Sequence, residues 1–341
     1  MRCGAMQAVD NQVLTQVRNW LETRQKCWLC TVVATYGSSP RPVGSLLTCD
    51  TNGHVVGSLS GGCVEDDLLE KLEAGELAPD KPEIMKYGLT PQDTERLGLP
   101  CGGHLHIVVE PLTANESRLK DFNHIVARLE ERRCVRREVY LGGGHTTVTD
   151  VERAQELTVD ESAKDGPAMR HTFGPRYQLF LIGSGMVSQY LADFAQALDY
   201  QVTVCDPREH MLEQWQVEGT RLINEYPDDA IRKHGNDPMT AIVALTHDPR
   251  IDDMGMMEAL KSDAFYIGAM GSSRTSASRR ERLTMLDISK SELARLHAPV
   301  GLDIGSKTPP EIAIAILAEL TAVRKHKEKA ALEGVIGVAA D

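Results

Sequence analysis

Positive charge is in short supply in this chain: 37 lysines and arginines stand against 49 aspartates and glutamates, a formal net charge of −12. That deficit argues against general nucleic-acid binding, because the phosphate backbone would be repelled. It leaves room for a small anionic cofactor held by local amides and arginines. Cysteine is sparse as well, at 8 in 341 residues, too few for a disulfide scaffold, and the thiols are expected to stay reduced. No unbroken apolar run has the length needed to cross a bilayer, so no membrane role is expected. No secretory hydrophobic run follows Met1-Arg2-Cys3-Gly4, which makes the cytoplasm the expected location. The metalloprotease pattern HExxH, the P-loop and the GxSxG nucleophile elbow are all missing. Glu65, Asp66 and Asp67 do not form a substrate-spanning carboxylate pair and read as acidic enrichment at a helix start.

What is present divides in two. The length is sufficient for two domains. The expected architecture is α/β: a small mixed N-terminal domain over residues 1–150, a linker over 151–175, a Rossmann-like parallel-sheet domain over 176–330 and a tail over 331–341. Residues 8–25 predict an amphipathic helix with Val9, Val13, Val17 and Leu21 along one side. Strands are expected over 28–35, 45–49, 54–57 and 104–109, with Asp50-Thr51-Asn52-Gly53 as a turn and a helix over 64–72. Pro111 marks a change of element, residues 114–131 predict another helix, and 135–149 hold strand pairs around Gly142-Gly143-Gly144. The linker is inferred from polar composition and from Asp165-Gly166-Pro167 and Gly174-Pro175. Beyond it, apolar strands at 178–182, 201–205, 241–245 and 264–267 alternate with helical patterns, as in a parallel α/β domain.

Two glycine-cysteine signatures carry the chemistry of the first half, Gly61-Gly62-Cys63-Val64-Glu65 and Cys101-Gly102-Gly103. Glycine removes bulk beside each thiol and lets the backbone turn tightly. A helix beginning at Val64 would lower the pKa of Cys63 and direct backbone amides at a ligand. Thiolates bind soft metals and accept or transfer sulfur, and Cys101 would supply the opposing thiol if the two loops meet. Buried packing at tight turns is the competing reading, and neither loop has the ligand spacing of structural zinc. Arg41, within the loop Gly37–Gly44, either neutralises an anion in the same cleft or only orients its loop. Cys27-Trp28-Leu29-Cys30 matches CxxC but leads into a strand. Residues three apart on a strand face opposite sides, so ordinary packing is expected there.

In the second half, Gly183 and Gly185 occupy the first two positions of a dinucleotide fingerprint, with Ser188 in place of its third glycine. Asp206, 23 residues after Gly183, is placed to accept hydrogen bonds from a ribose. A nucleotide or pterin-dinucleotide moiety is one reading, and an inherited fold with a changed pocket is the other. His247 and Asp248 follow a predicted strand, where His247 would position a ligand, transfer a proton or merely cap the loop. Gly271, Ser272 and Arg274 would gather around a phosphate or form a sharp strand-to-helix connection. Arg279, Arg280 and Arg282 read as a solvated helix face.

The ordered motifs together resemble the XdhC/CoxI family of molybdoenzyme maturation proteins. They are GSSPRPVG at 37–44, GSLSGGCVE at 57–65, CGG at 101–103 ahead of EPL at 110–112, and LFLIGSG at 179–185. They continue with VTVCDPR at 202–208, LTHDPRIDD at 245–253, YIGAMGSSRT at 266–275 and APVGLDIGSKTPPEIAIAILAE at 298–319. Met186 departs from the histidine often found at that point. The resemblance implies a cytoplasmic chaperone that binds the molybdenum cofactor, as molybdopterin or its dinucleotide form. It implies help with sulfuration, using sulfur from a cysteine desulfurase, and insertion into an apo molybdenum hydroxylase related to xanthine dehydrogenase. On this basis Cys63 and Cys101 are the candidate contacts to the metal or the exchanged sulfur, with Arg41, Gly61, Gly62 and Gly102 around them. Gly183, Gly185, Asp206, His247, Gly271, Ser272 and Arg274 would hold the rest of the cofactor, a nucleotide or NAD(P). A homodimer covering an open cleft is a further expectation. The alternatives are an NAD(P)-linked oxidoreductase and a nucleotide-controlled binding protein without molybdenum chemistry.

Overall fold

Val13, Leu14, Val17, Trp20 and Leu21 recur at helical spacing, and α1 (Ala8–Glu22) buries all of them. The helix ends before residue 25 because Arg24 turns left-handed at φ 58°, while the Gln25 amide reaches back to the Trp20 carbonyl. The computed structural model describes residues 8–36, 41–88, 104–152, 155–163 and 166–336, apart from the side chains of Cys63 and of residues beyond 326. The chain forms two compact units, Met1–Pro175 and Arg176–Asp341.

In the first unit, β1 (Cys27–Tyr36) is followed by β2 (Leu46–Asp50), β3 (Val55–Gly57), α2 (Cys63–Glu73), β4 (Glu83–Tyr87), β5 (His104–Leu112) and α3 (Glu116–Glu130). The strands form an antiparallel sheet in the order β3-β2-β1-β5-β4. One face packs Trp28, Cys30, Leu47 and Cys49 against Val64, Leu68 and Leu72 of α2. The other packs Cys27, Leu29 and Leu46 with the apolar sides of α1 and α3. The CxxC cysteines therefore point to opposite faces, as strand periodicity requires. Burial pushes the Cys27 thiol up to about 12 and the Cys30 thiol well above its ordinary value.

Pro111, expected to end an element, lies inside β5 opposite Trp28. It is tolerated because β4 stops opposite Val109, leaving that side of β5 open. The Pro111 carbonyl accepts from Arg118 Nη1 at 3.2 Å. A strand residue's N–H and C=O leave on the same side, so the missing donor empties no ladder bond.

A second antiparallel sheet follows, from β6 (Cys134–Tyr140), β7 (Thr146–Val151), β8 (Thr158–Asp160) and β9 (Ala168–Phe173), in the order β7-β6-β9-β8. The segment 151–175 is thus not a linker. Its polar composition is that of antiparallel strands with one face toward water. Gly166, at φ 90°, belongs to the connection between β8 and β9, and Pro167 returns a carbonyl to the Leu141 amide. Arg137 of β6 donates to both oxygens of Glu110 of β5 at 2.9 Å, with both side chains only 2% exposed, so a buried ion pair bolts the two sheets together.

The second unit alternates. Its elements are β10 (Gln178–Ile182), α4 (Met186–Ala197), β11 (Gln201–Cys205), α5 (Glu209–Leu212), β12 (Arg221–Ile223), α6 (Pro227–His234) and β13 (Thr240–Ala244). They continue with α7 (Pro249–Lys261), β14 (Tyr266–Ala269), α8 (Ser273–Met285), α9 (Lys290–Leu293), β15 (Leu296–His297) and α10 (Pro309–Ile336). All six strands run parallel in the order β12-β11-β10-β13-β14-β15. Phe180, Ile182 and Ala244 face one helical layer with Met256 and Leu260, and Leu179, Leu181 and Val243 face the other with Leu191 and Ile316. This is a Rossmann-like domain behind a mixed, sheet-rich N-terminal one. Its strand order reverses between β10 and β13, which makes the carboxyl ends of those strands the natural ligand edge. Among the described residues no helix is long and apolar enough to cross a membrane.

Candidate functional site

In the first unit the GSLSGGCVE segment is built around one carboxylate. Glu65, on the first turn of α2, reaches back under the loop. Its Oε1 accepts from the amides of Leu59 (2.8 Å), Ser60 (2.8 Å) and Gly61 (2.9 Å) and from Ser58 Oγ (3.0 Å). Its Oε2 accepts from the Gly62 amide at 3.0 Å and from Ser60 Oγ. Partial burial works to raise its pKa, but the hydrogen bonds from Ser60, Gly61 and Leu59 together outweigh burial and hold it at about 2. The loop amides expected to aim at a ligand are thus spent inward on Glu65. What remains outward is the exposed Gly61-Gly62 backbone, with Cys63 as the first residue of α2. Sequence reasoning passes over Glu65 as a helix-start acid. The signal is there nonetheless: a glutamate three residues after the helix cap is half of a capping box.

Arg41 sits against the same loop. Its Nε donates to the Ser58 carbonyl at 3.3 Å, and its Nη2 lies 3.6 Å from Asp10 Oδ1 of α1. Asp10 also accepts from the Leu46 amide at 3.0 Å. The guanidinium therefore ties the loop to α1, and Asp10 carries the tie on to β2. Cys101 and Gly102 lie outside the described residues, as does the Cys63 side chain. Among the described residues no three histidine, cysteine or acidic side chains are gathered as a metal cage.

In the second unit the residues singled out from sequence all follow the carboxyl ends of β10, β11, β13 and β14. Gly183 takes φ 101°, and a Cβ there would lie 2.8 Å from Thr246 Cγ2, so only glycine fits this turn. The Ser184 amide and hydroxyl donate to Asp206 Oδ2 at 3.0 and 3.1 Å. Arg208 closes over the same carboxylate, with its amide and Nε on Oδ1 at 3.0 and 2.9 Å and Nη2 on Oδ2 at 2.8 Å. Asp206 is wholly buried, so the expected ribose acceptor is already occupied within the chain. The charged group left facing solvent is Arg208, 31% exposed, and it favours an anion over a sugar diol. An arginine two residues after the strand-end aspartate is the available cue.

His247 is exposed and held at φ 64°. Beneath it, the Thr246 amide and hydroxyl donate to Asp252 Oδ1 at 3.1 and 2.6 Å. Arg279 joins Asp252, Asp253 and the Met270 carbonyl, each at 3.0 Å, and Arg282 adds a 2.6 Å contact to Asp253. The expected solvated arginine face is corrected here. Arg279 is 2% exposed, and Arg280 donates to the carbonyls of Leu293 and Leu296 at 3.0 and 2.7 Å. The buried residues of α8 are Ser276, Arg279 and Leu283, so the helix docks through guanidinium bonds more than through apolar surface. The network braces the His247 loop and the Met270–Ser272 turn as one piece. Ser272 caps α8 by accepting from the Thr275 amide at 3.1 Å, and Arg274 is exposed.

Two family profiles match the chain, an XdhC Rossmann domain over residues 179–320 and the XdhC and CoxI family over residues 20–88. A protein of Bacillus subtilis (strain 168) described as a probable xanthine dehydrogenase component is 26% identical over 324 residues, 90% of this chain and 96% of that protein. A molybdenum cofactor insertion chaperone of Escherichia coli (strain K12), PaoD, is 25% identical over 308 residues, 88% of this chain and 84% of its own. A crystal structure described as a xanthine dehydrogenase from Bacillus halodurans is similar with a TM-score of 0.72 at 23% identity, over 94% of this chain and 97% of the other. That last likeness speaks for the fold.

Proposed function

The chain belongs to the XdhC and CoxI family, and from that premise we propose that it is an accessory chaperone of molybdenum cofactor maturation, with the cofactor as its cargo. The observation that carries the reading is the loop folded on Glu65, which sets Cys63 as the first residue of α2 behind an exposed glycine pair. A cysteine that opens a helix is in general shifted toward the thiolate that takes soft metals and sulfur. Cys101, in the CGG segment at 101–103, is the proposed second thiol. In the second unit, Arg208 and the turn at Gly183–Gly185 would hold an anionic ligand. The insertion chaperone among the relatives supports the direction of transfer.

The finer steps belong to the same proposal. A cysteine desulfurase supplies the sulfur, an apo molybdenum hydroxylase receives the matured cofactor in the cytoplasm, and a homodimer shields the cargo. The test is anaerobic purification from cells that make the cofactor, with molybdenum and the fluorescent oxidation product of molybdopterin measured together. Matched metal and pterin in the wild type, reduced several-fold in Cys63→Ala, are expected. Absence of both from the wild type, while a cofactor-binding control retains them, would overturn the reading in favour of a nucleotide-linked protein.

A further inference from the structure

The start of α8, just after the turn from β14, carries a buried hydroxyl with nothing to bond among the described residues. Ser276 is 2% exposed, and its Oγ meets no hydrogen-bond partner among the described residues. A buried hydroxyl left unpaired is costly, and in native proteins it calls for a water, an ion or a ligand. Gly271 is its neighbour. A Cβ on Gly271 would lie 3.6 Å from Ser276 Oγ and 3.3 Å from Thr275 Cβ. The hydroxyl thus lies next to Gly271, on the side of the helix start toward which helical side chains lean.

The surroundings suit an anion. Ser273 and Arg274 are the first two residues of a 13-residue helix whose first turn holds no acidic residue. Their amides have no acceptor inside the helix, and the helix dipole adds positive potential there. The Thr275 amide is taken by Ser272 Oγ at 3.1 Å, which defines the rim. The turn is rigid, because Arg279 Nη1 holds the Met270 carbonyl at 3.0 Å and the Met270 amide is bonded to the Ala244 carbonyl at 2.9 Å. At α2 and at the β10 turn the chain supplies its own carboxylate, Glu65 and Asp206, to the loop amides. The capping side chain of α8 is instead the neutral hydroxyl of Ser272.

We propose that this turn is a phosphate subsite, in which the Ser276 hydroxyl, the amides of Ser273 and Arg274 and the Arg274 guanidinium bind one phosphate group of a nucleotide or pterin ligand. The identity of the natural ligand rests on the cofactor reading; the subsite does not, since phosphate binding is measured without molybdenum. The experiment is calorimetric titration of the full chain with inorganic phosphate and, separately, with adenosine 5′-monophosphate, for the wild type, Ser276→Ala and Arg274→Gln.

Both variants are expected to bind phosphate about tenfold more weakly, the loss of one hydrogen bond to a charged group. Ser276→Ala should melt at the same or a higher temperature, because it removes an unsatisfied polar atom. Tighter binding of the monophosphate than of phosphate assigns a nucleotide as the source, and equal binding assigns the phosphate end alone. A wild type that binds neither probe at millimolar concentration, or a Ser276→Ala protein that binds both like the wild type, overturns the proposal. A protein that binds phosphate yet carries no molybdenum would sink the chaperone reading and keep the subsite.

Discussion

Glu65 shows how much a single side chain decides. Six donors converge on it, and its folded pKa of about 2 lies below its ordinary 4.5. A carboxylate with a depressed pKa stabilises the fold fully above its unfolded value, and the contribution disappears as pH falls through the folded value. The amide resonances of Gly61 and Gly62 should therefore stay unchanged through pH 4.5 and shift with a midpoint near 2. A midpoint near 4.5 would show that the loop is not organised on this group. In Glu65→Gln the same resonances should move at every pH, because one acceptor oxygen becomes a donor.

At the scale of elements, the joint between the two sheets of the first unit rests on Glu110 and Arg137, facing each other at 2.9 Å and sealed from water. Removing one partner leaves an unpaired buried charge, at a cost of about 3–5 kcal/mol. Urea denaturation of Arg137→Met should show that loss, and Arg137→Met combined with Glu110→Leu should recover much of it. Equal losses in the single and double variants would mean that packing, not charge, makes the joint.

The same scale explains what is legible in the sequence. Cys27 and Cys30 fall on opposite faces by sequence alone because strand alternation is local. Arg279 reads as solvated because its partners, Asp252 and Asp253, lie 27 and 26 residues away. An arginine run looks the same whether water or buried aspartate receives it. Residues 151–175 read as a linker for a related reason: a strand with one wet face has the composition of a loop until its neighbour is known. Asp206 stands at the end of its strand as spacing predicts, yet the return of Arg208 onto it is not visible from spacing alone.

For the whole molecule, each unit holds its own core, with Leu14, Leu29, Val64 and Ile107 buried in the first and Leu179, Phe180, Val243 and Ile316 in the second. A fragment spanning Arg176–Asp341 should therefore fold by itself. Circular dichroism of that fragment is expected to show a cooperative melt, and a sloping, non-cooperative signal would contradict separate cores. The parallel order of its six strands already places Gly183, Asp206, His247 and Gly271 at one edge, so the location of the ligand edge follows from topology alone.

The sequence by itself determined the alternation of elements, the family and the segments that bear chemistry, because hydrophobic period and turn chemistry act between residues a few positions apart. Only the tertiary structure decided which polar groups are free. Glu65 consumes the loop amides, Arg208 and Ser184 consume Asp206, and Arg279 is drawn inside by two aspartates, while Ser276 is buried with its hydroxyl unpaired. Pairing of this kind depends on which distant segments share a desolvated space, and burial makes each such pairing obligatory.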